Sequence, residues 1–169
     1  MKVFLIGFMG SGKSTVGKAL AKRLQIPLVD SDQWIEEETG VSISELFERE
    51  GETVFRNWEQ QFIERLPESP QIVSCGGGLP CFNELMEVML QKGTVIYLET
   101  SELLLFQRLQ FGTSRPLLNS LSDDELTQQI HERLVKRSPI YQQAQHSIQV
   151  DGKSLVTLVE EICALIGSI

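Results

Sequence analysis

Gly7-Phe8-Met9-Gly10-Ser11-Gly12-Lys13-Ser14-Thr15, GFMGSGKST in one-letter form, directly follows the apolar run Val3-Phe4-Leu5-Ile6 and directly precedes a helix-like stretch from Val16 to Leu24. Gly7, Gly12, Lys13 and Ser14 satisfy G-x-x-x-x-G-K-[ST], the phosphate-binding loop, in the strand-loop-helix setting that the motif requires. Successive backbone N–H groups, unobstructed where glycine has no Cβ, converge on a phosphate, and the helix N-terminus adds its dipole. Lys13 then reaches the β- and γ-phosphates, and the Ser14 hydroxyl is placed to ligate Mg²⁺. A plain glycine turn is the alternative, but a chance match to the whole pattern with the right flanks is rare. Gly10, Ser11, Gly12, Lys13, Ser14 and Thr15 are therefore the candidate nucleotide contacts.

Outward from the loop, short apolar runs alternate with amphipathic stretches. Lys2-Ile6, Pro27-Val29, Gln71-Ser74, Thr94-Leu98 and Ser147-Val150 predict five strands buried on both faces. Val16, Leu20 and Leu24, and later Leu155, Leu158, Val159, Ile162 and Ile166, keep helical spacing. Ser42 with Glu45 and Ser122 with Glu125 read as capping boxes, and Gly40 and Gly93 as stops before new elements. The alternation predicts an α/β fold, a parallel sheet covered by helices, in one domain over residues 1–169. Two segments break the rhythm. Between Asp30 and Pro67 there are three helical segments, Gln33-Thr39, Ser44-Glu50 and Glu52-Leu66, and no strand; the last carries Val54, Phe55, Trp58 and Phe62 on one stripe. Between Phe111 and Leu121 the run FGTSRPLLNSL has the composition of a mobile lid, placed at about residues 109–122.

Composition narrows the classes of function. The chain has 169 residues, 41% apolar and 22% charged, which suits a single soluble domain with a sizeable core. A formal charge of -8 argues against nucleic-acid binding, so an anionic ligand must find a local basic pocket. The three cysteines, Cys75, Cys81 and Cys163, form no close metal-ligand pair and suit a reducing cytoplasm. No apolar run approaches the ~20 residues of a membrane span. Gly7 and Gly10 interrupt the opening segment too early for a signal peptide.

In a parallel sheet, ligands bind at the carboxyl ends of the strands, where the first three predicted strands carry GFMGSGKST, Asp30-Ser31-Asp32 and Ser74-Cys75-Gly76-Gly77-Gly78. Asp30 closes an apolar run as a metal-assisting acid does, and Asp32 becomes the candidate acceptor of a hydrogen bond from an attacking hydroxyl. Either acid is also a reasonable N-cap for the next helix, a role that Ser31 can fill instead. Three glycines after a strand read as a linker or, better, as a site where a ligand approaches the backbone. Arg56, off the apolar stripe, pairs with Glu52 or Glu59 one turn away on the plain reading, while its guanidinium is also the donor best matched to a carboxylate. His131 and His146 show no catalytic partner and read as structural.

Together GFMGSGKST, DSD, FRNWE, SCGGG, RPLL and KRSPIY resemble the shikimate kinase family, in order and across nearly the whole chain. The resemblance implies a three-layer P-loop kinase fold with sheet order 2-3-1-4-5 and transfer of the ATP γ-phosphoryl to the 3-hydroxyl of shikimate, on the route to aromatic amino acids. It implies a helical substrate-binding region at about residues 31–66, ATP and shikimate as ligands, Mg²⁺ as cofactor, and a cytoplasmic monomer with no nucleic-acid or membrane partner. It gives Asp32 to the reacting hydroxyls, Arg56 and Arg137 to the substrate carboxylate, and Gly77, flanked by Gly76 and Gly78, to a backbone contact with substrate. Ser14 and Asp30 go to the metal, Arg108 to the adenine face, and Arg115 to the phosphates from the lid; Asp32, Lys13 and Arg115 form the catalytic set. The stretch around QVDGKS, residues 149–154, should border adenine. Cys75 stands where the family commonly has Thr, so a hydrogen bond toward metal-bound water is weakened or supplied by Ser74. A GTP-dependent switch would carry an N/T-K-x-D signature and a D-x-x-G after a strand, and neither is present. A gluconate-type or nucleotide-directed kinase is separated only by the DSD, FR, GGG and second-arginine set.

Overall fold

The computed structural model describes residues 1–110 and 122–167. The expected lid segment, Arg115 included, therefore lies outside the described residues apart from its two ends. In chain order the elements are β1 (Lys2–Ile6), α1 (Lys13–Leu24), β2 (Leu28–Asp30), α2 (Ser31–Thr39), α3 (Ile43–Arg65), β3 (Gln71–Ser74), a 3₁₀ turn (Leu79–Cys81), α4 (Leu85–Lys92), β4 (Thr94–Glu99), α5 (Glu102–Gln110), α6 (Asp123–Tyr141), β5 (His146–Gln149) and α7 (Leu155–Gly167). The five strands pair in parallel in the order β2-β3-β1-β4-β5, as expected.

Strand β1 shows why two helical layers are needed. It is buried along its whole length, and its side chains alternate between faces. Val3 and Leu5 join Val16 and Leu20 of α1 and Leu158, Ile162 and Ile166 of α7 in one core. Phe4 and Ile6 join Phe62 and Ile63 of α3, Met86 and Met89 of α4, and Tyr141 of α6 in the other. Two of the predicted strands match to the residue, Lys2–Ile6 and Gln71–Ser74, and the other three differ by one residue at one or both ends.

The helical excursion after β2 contains no strand. The expected segments 44–50 and 52–66 meet as one run, α3, broken at Gly51, whose φ of 81° and ψ of 175° are not helical. That positive φ suits glycine. The break lets Phe47 and Phe55 stack at 4.6 Å across it, against a small core of Ile35, Leu46 and Phe55. Caps behave largely as read. Ser122 and Glu125 complete a reciprocal capping box, Ser42 accepts from the Glu45 N–H, and Gly40 ends α2 in the left-handed conformation. No described helix is long and apolar enough to cross a membrane.

Candidate active site

Strand register brings the three loops together. Ser74 on β3 lies level with Asp30 on β2 and with Leu5 on β1, so the segments that follow all leave the sheet at one edge. The first curls into the phosphate loop, with Gly10 and Gly12 at φ of 84° and 99° before α1 starts at Lys13. The Lys13 ammonium folds back and donates to the Gly7 and Phe8 carbonyls at 2.9 and 2.8 Å.

After β2, the structure decides between the caps that the sequence left open. Asp30, not Ser31, caps α2: its Oδ1 accepts from the Asp32 and Gln33 N–H groups at 3.1 and 3.5 Å. Its Oδ2 accepts from the Ser14 hydroxyl at 2.8 Å, so one carboxylate serves the helix and the loop together. Ser31 does other work. Its hydroxyl accepts from the Gly76 N–H at 2.7 Å and donates to Asp32 Oδ1 at 3.4 Å, which aims the Asp32 carboxylate at the glycine strap.

The strap after β3 shows what three glycines permit. A Cβ on Gly76 would stand 2.7 Å from Asp32 Oδ1, one on Gly77 3.3 Å from the Gly7 carbonyl, and one on Gly78 2.4 Å from Arg56 Nη1. Asp32, the phosphate loop and Arg56 thus all close on this backbone. Cys75 turns away: its buried thiol sits 3.8 Å from Met89 Sδ, and burial pushes its pKa up, the nearby Lys13 charge notwithstanding. Ser74 is the residue at the site, 3.2 Å from the Ser14 hydroxyl.

Two cavities open at this edge. One, of about 480 Å³, is lined by Gly10, Ser11, Gly12, Lys13, Ser14, Thr15 and Arg108, whose Nη1 donates to the Gly10 carbonyl at 2.9 Å. It extends over Val150, Leu155 and Leu158, which supply the apolar wall that a base needs, and over Lys153; of these, Val150 and Lys153 fall in the stretch 149–154 that the sequence indicated only as a region. The other, of about 440 Å³, is lined by Asp32, Arg56, Gly76, Gly77, Gly78 and Arg137. The cavities meet at the phosphate loop, with Met9 on the second and Gly10 on the first. Every candidate residue within the described chain falls at one of them, except Asp30, which stands beside Ser14 at the junction. His131 does not: it makes a 2.9 Å contact with Glu102 on the exposed surface.

The second cavity also holds residues given no site role from sequence: Met9, Phe47, Glu52, Phe55, Glu59 and Arg133. Glu59 matters most. Arg56 pairs with both acids named as its neighbours, through Nε and Nη2 to Glu52 at 3.2 and 2.8 Å and through Nη1 to Glu59 Oε2 at 2.7 Å. Glu59 is 1% exposed, and its other oxygen has no hydrogen-bond partner among the described residues. Burial pushes its pKa up to about 7, the Arg56 charge and hydrogen bond oppose the rise, and the Asp32 charge adds to it. The signal was present in the sequence: Phe55, Glu59, Phe62 and Ile63, all buried, keep the i, i+4, i+7, i+8 spacing of an inward helix face.

Near Ser14 and Asp30, a hydroxyl and a carboxylate 2.8 Å apart offer only hard oxygen donors, the kind Mg²⁺ takes while keeping several waters and nucleotide oxygens. The described residues contain no cluster of three or more His, Cys, Asp or Glu that could cage a metal without a nucleotide.

Comparison with known proteins agrees with this geometry. The family model described as shikimate kinase matches residues 9–166. A shikimate kinase of Bacteroides fragilis is 43% identical over 148 residues, covering 86% of this chain and 83% of that one. Among solved structures, a shikimate kinase from Bacteroides thetaiotaomicron superposes with a TM-score of 0.93 at 36% identity, covering 99% of this chain and 98% of that one. A shikimate kinase from Acinetobacter baumannii in complex with shikimate gives 0.89 at 35% identity, covering 99% and 93%.

Proposed function

The chain belongs to the shikimate kinase family, and from that premise we propose that it transfers the γ-phosphoryl group of ATP to the 3-hydroxyl of shikimate, giving shikimate 3-phosphate and ADP on the route to chorismate and aromatic amino acids. The observation that carries the reading is the second cavity, where two arginines able to hold a carboxylate and one acid able to orient a hydroxyl adjoin a phosphate loop. A nucleoside monophosphate would bring a phosphate dianion and a base in place of a carboxylate, whereas gluconate is also a hydroxylated monocarboxylate, so the choice between the two acids rests on the family likeness.

The roles follow from position. Arg56 and Arg137 take the substrate carboxylate, a planar anion that suits the guanidinium fork. Gly76, Gly77 and Gly78 let the ring approach the backbone. Asp32 accepts the hydrogen bond of the attacking hydroxyl and aligns its oxygen with the γ-phosphorus. The new bond joins that oxygen to phosphorus, the bond to the β–γ bridging oxygen breaks, and the hydroxyl proton leaves late, toward Asp32. A carboxylate that is a weak base suffices, because a loose transition state asks mainly for orientation. Gly10, Ser11, Gly12, Lys13, Ser14 and Thr15 hold the phosphates, and Lys13 exchanges its loop carbonyls for them. Ser14 and Asp30 would hold Mg²⁺, which would supply positive charge against the nucleotide phosphates. Arg108 covers the base, and Arg115, outside the described residues, keeps the phosphate-neutralising role that the family likeness gives it.

On this reading, residues 1–169 form a single shikimate kinase-like domain with residues 31–66 as its substrate-binding region, and the protein is a cytoplasmic monomer that binds neither nucleic acid nor membrane. An assay of ADP release with shikimate, gluconate and a nucleoside monophosphate offered in turn tests the activity. Turnover with shikimate alone is expected, and preferential turnover of either rival would overturn the assignment.

A further inference from the structure

We propose that Tyr141 is a positioning residue for the acid substrate: its phenol pins the Gly77–Gly78 peptide so that the glycine strap and Arg137 together present their donors to the substrate carboxylate. The inference rests on the shikimate reading above. Tyr141 is the last residue of α6 and is fully buried, its ring 5.1 Å from that of Tyr97 on β4. Its hydroxyl donates to the Gly77 carbonyl at 2.5 Å, joining residues 64 apart in sequence.

A peptide unit is planar and, among the described residues, always trans, so its C=O and N–H point in opposite directions. Drawing the Gly77 oxygen down toward the phenol therefore sends the Gly78 N–H to the other side of the strap. Within the described residues that N–H has no acceptor of its own. A run of three glycines otherwise has little to select one orientation of this peptide, since either hand of φ is accessible to each residue. The buried phenol supplies the selection.

The same side chain is tied to both arginine sites. Arg137 precedes Tyr141 by four residues, one turn along α6, which places the two side chains on one face. A Cβ on Gly77 would lie 3.4 Å from Arg137 Nη1, so the guanidinium rests against the strap just where the phenol holds it. Burial drives the pKa of the phenol up and the neighbouring Arg137 charge opposes the rise, so the phenol stays a neutral donor throughout the physiological range. On the far flank, Arg56 closes on Gly78. An anion between Arg56 and Arg137 is thereby set over a backbone N–H whose direction Tyr141 fixes.

Tyr141→Phe removes the hydroxyl and keeps the ring, so the fold survives. The measurements are KM for shikimate and for ATP, the melting temperature, and the ratio of kcat/KM for shikimate to that for shikimate methyl ester, which lacks the anion. If the ester is not turned over, its inhibition constant against shikimate replaces the second value. Loss of a hydrogen bond to a partly buried carbonyl predicts a rise of about tenfold in KM for shikimate, with KM for ATP within about twofold and the loss on the ester below about threefold. An unchanged KM for shikimate, or an equal loss on acid and ester, would overturn the inference, because a merely structural defect does not distinguish the two. A wild-type protein inert toward shikimate would instead defeat the functional reading, and this inference with it.

Discussion

Replacing Glu59 with glutamine should make the stability of the protein less sensitive to a rise in pH from about 4.5 to about 7, and the structure sets the size of the effect. Burial raises the Glu59 pKa from an ordinary value of 4.5 to about 7, which means that the folded state holds this proton more tightly than the unfolded chain does. The stabilisation is complete below about pH 4.5, falls as the pH rises through about 7, and is gone above that. Each pH unit between the two values is worth about 1.4 kcal/mol, so ionised Glu59 costs the folded state roughly 3 kcal/mol. Glutamine has no proton to lose and can still accept from Arg56. Whatever it forfeits in charge pairing is nearly independent of pH, so only the slope counts. With unfolding entropy of about 2.1 cal/mol/K per residue, a chain of 169 residues converts roughly 3 kcal/mol into a melting shift of about 8 °C. Melting curves of the two proteins between pH 5 and pH 8.5 provide the assay: the gap between them should move in favour of the variant as the pH rises. A gap that stays constant within about 2 °C would refute the buried, high-pKa carboxylate.

Asp32→Asn should leave ATP affinity nearly unchanged and lower kcat by about 10²-fold or more, as measured by calorimetry and steady-state turnover; near-normal turnover would remove Asp32 from the chemistry. Arg56→Ala or Arg137→Ala should raise KM for shikimate by about 10- to 100-fold, the worth of a charge-assisted pair, with KM for ATP unchanged. Gly78→Ala tests the strap without backbone strain, because its φ of -91° suits any residue. Its methyl must displace the Arg56 guanidinium, so shikimate affinity should fall by about tenfold while the melting temperature changes by no more than a few degrees.

What could be read from the sequence was local chemistry at strand ends. The phosphate loop is contiguous, and Asp30, Asp32 and the glycine strap each follow a strand, so strand order alone carries them to one edge. What could not be read depends on contacts between distant segments. Asp30 and Ser31 are equally good caps by type, and Ser31 is taken out of that competition by the Gly76 N–H, 45 residues away. Glu59 sat in plain view on the buried face of α3. Its consequence required knowing that the glycine strap closes over its carboxylate, where a Cβ on Gly76 would stand 3.2 Å from Glu59 Oε1. Tyr141 appeared only as the last letter of KRSPIY, and its partner Gly77 lies 64 residues away in sequence. The base-facing wall of Val150, Lys153, Leu155 and Leu158 arises because α7 packs against α1.

An acidic chain that must hold two anions has to spend its cations locally, and the structure shows how each is kept ready. Lys13 and Arg108 rest on neutral carbonyls of the phosphate loop, acceptors that a phosphate outcompetes because charge-assisted hydrogen bonds are roughly twice as strong. Arg56 faces a harder demand, since its partners are carboxylates. The guanidinium has five N–H groups. Two go to Glu52 and one to Glu59, which leaves two, one on each terminal nitrogen. On the proposed reading, these two remaining donors can meet the substrate carboxylate without evicting Glu59 and stranding a buried charge. Lysine at position 56, with three donors on one atom, could not make the same three bonds and still offer a donor to a further anion. That makes arginine at this position a requirement of geometry as well as of charge.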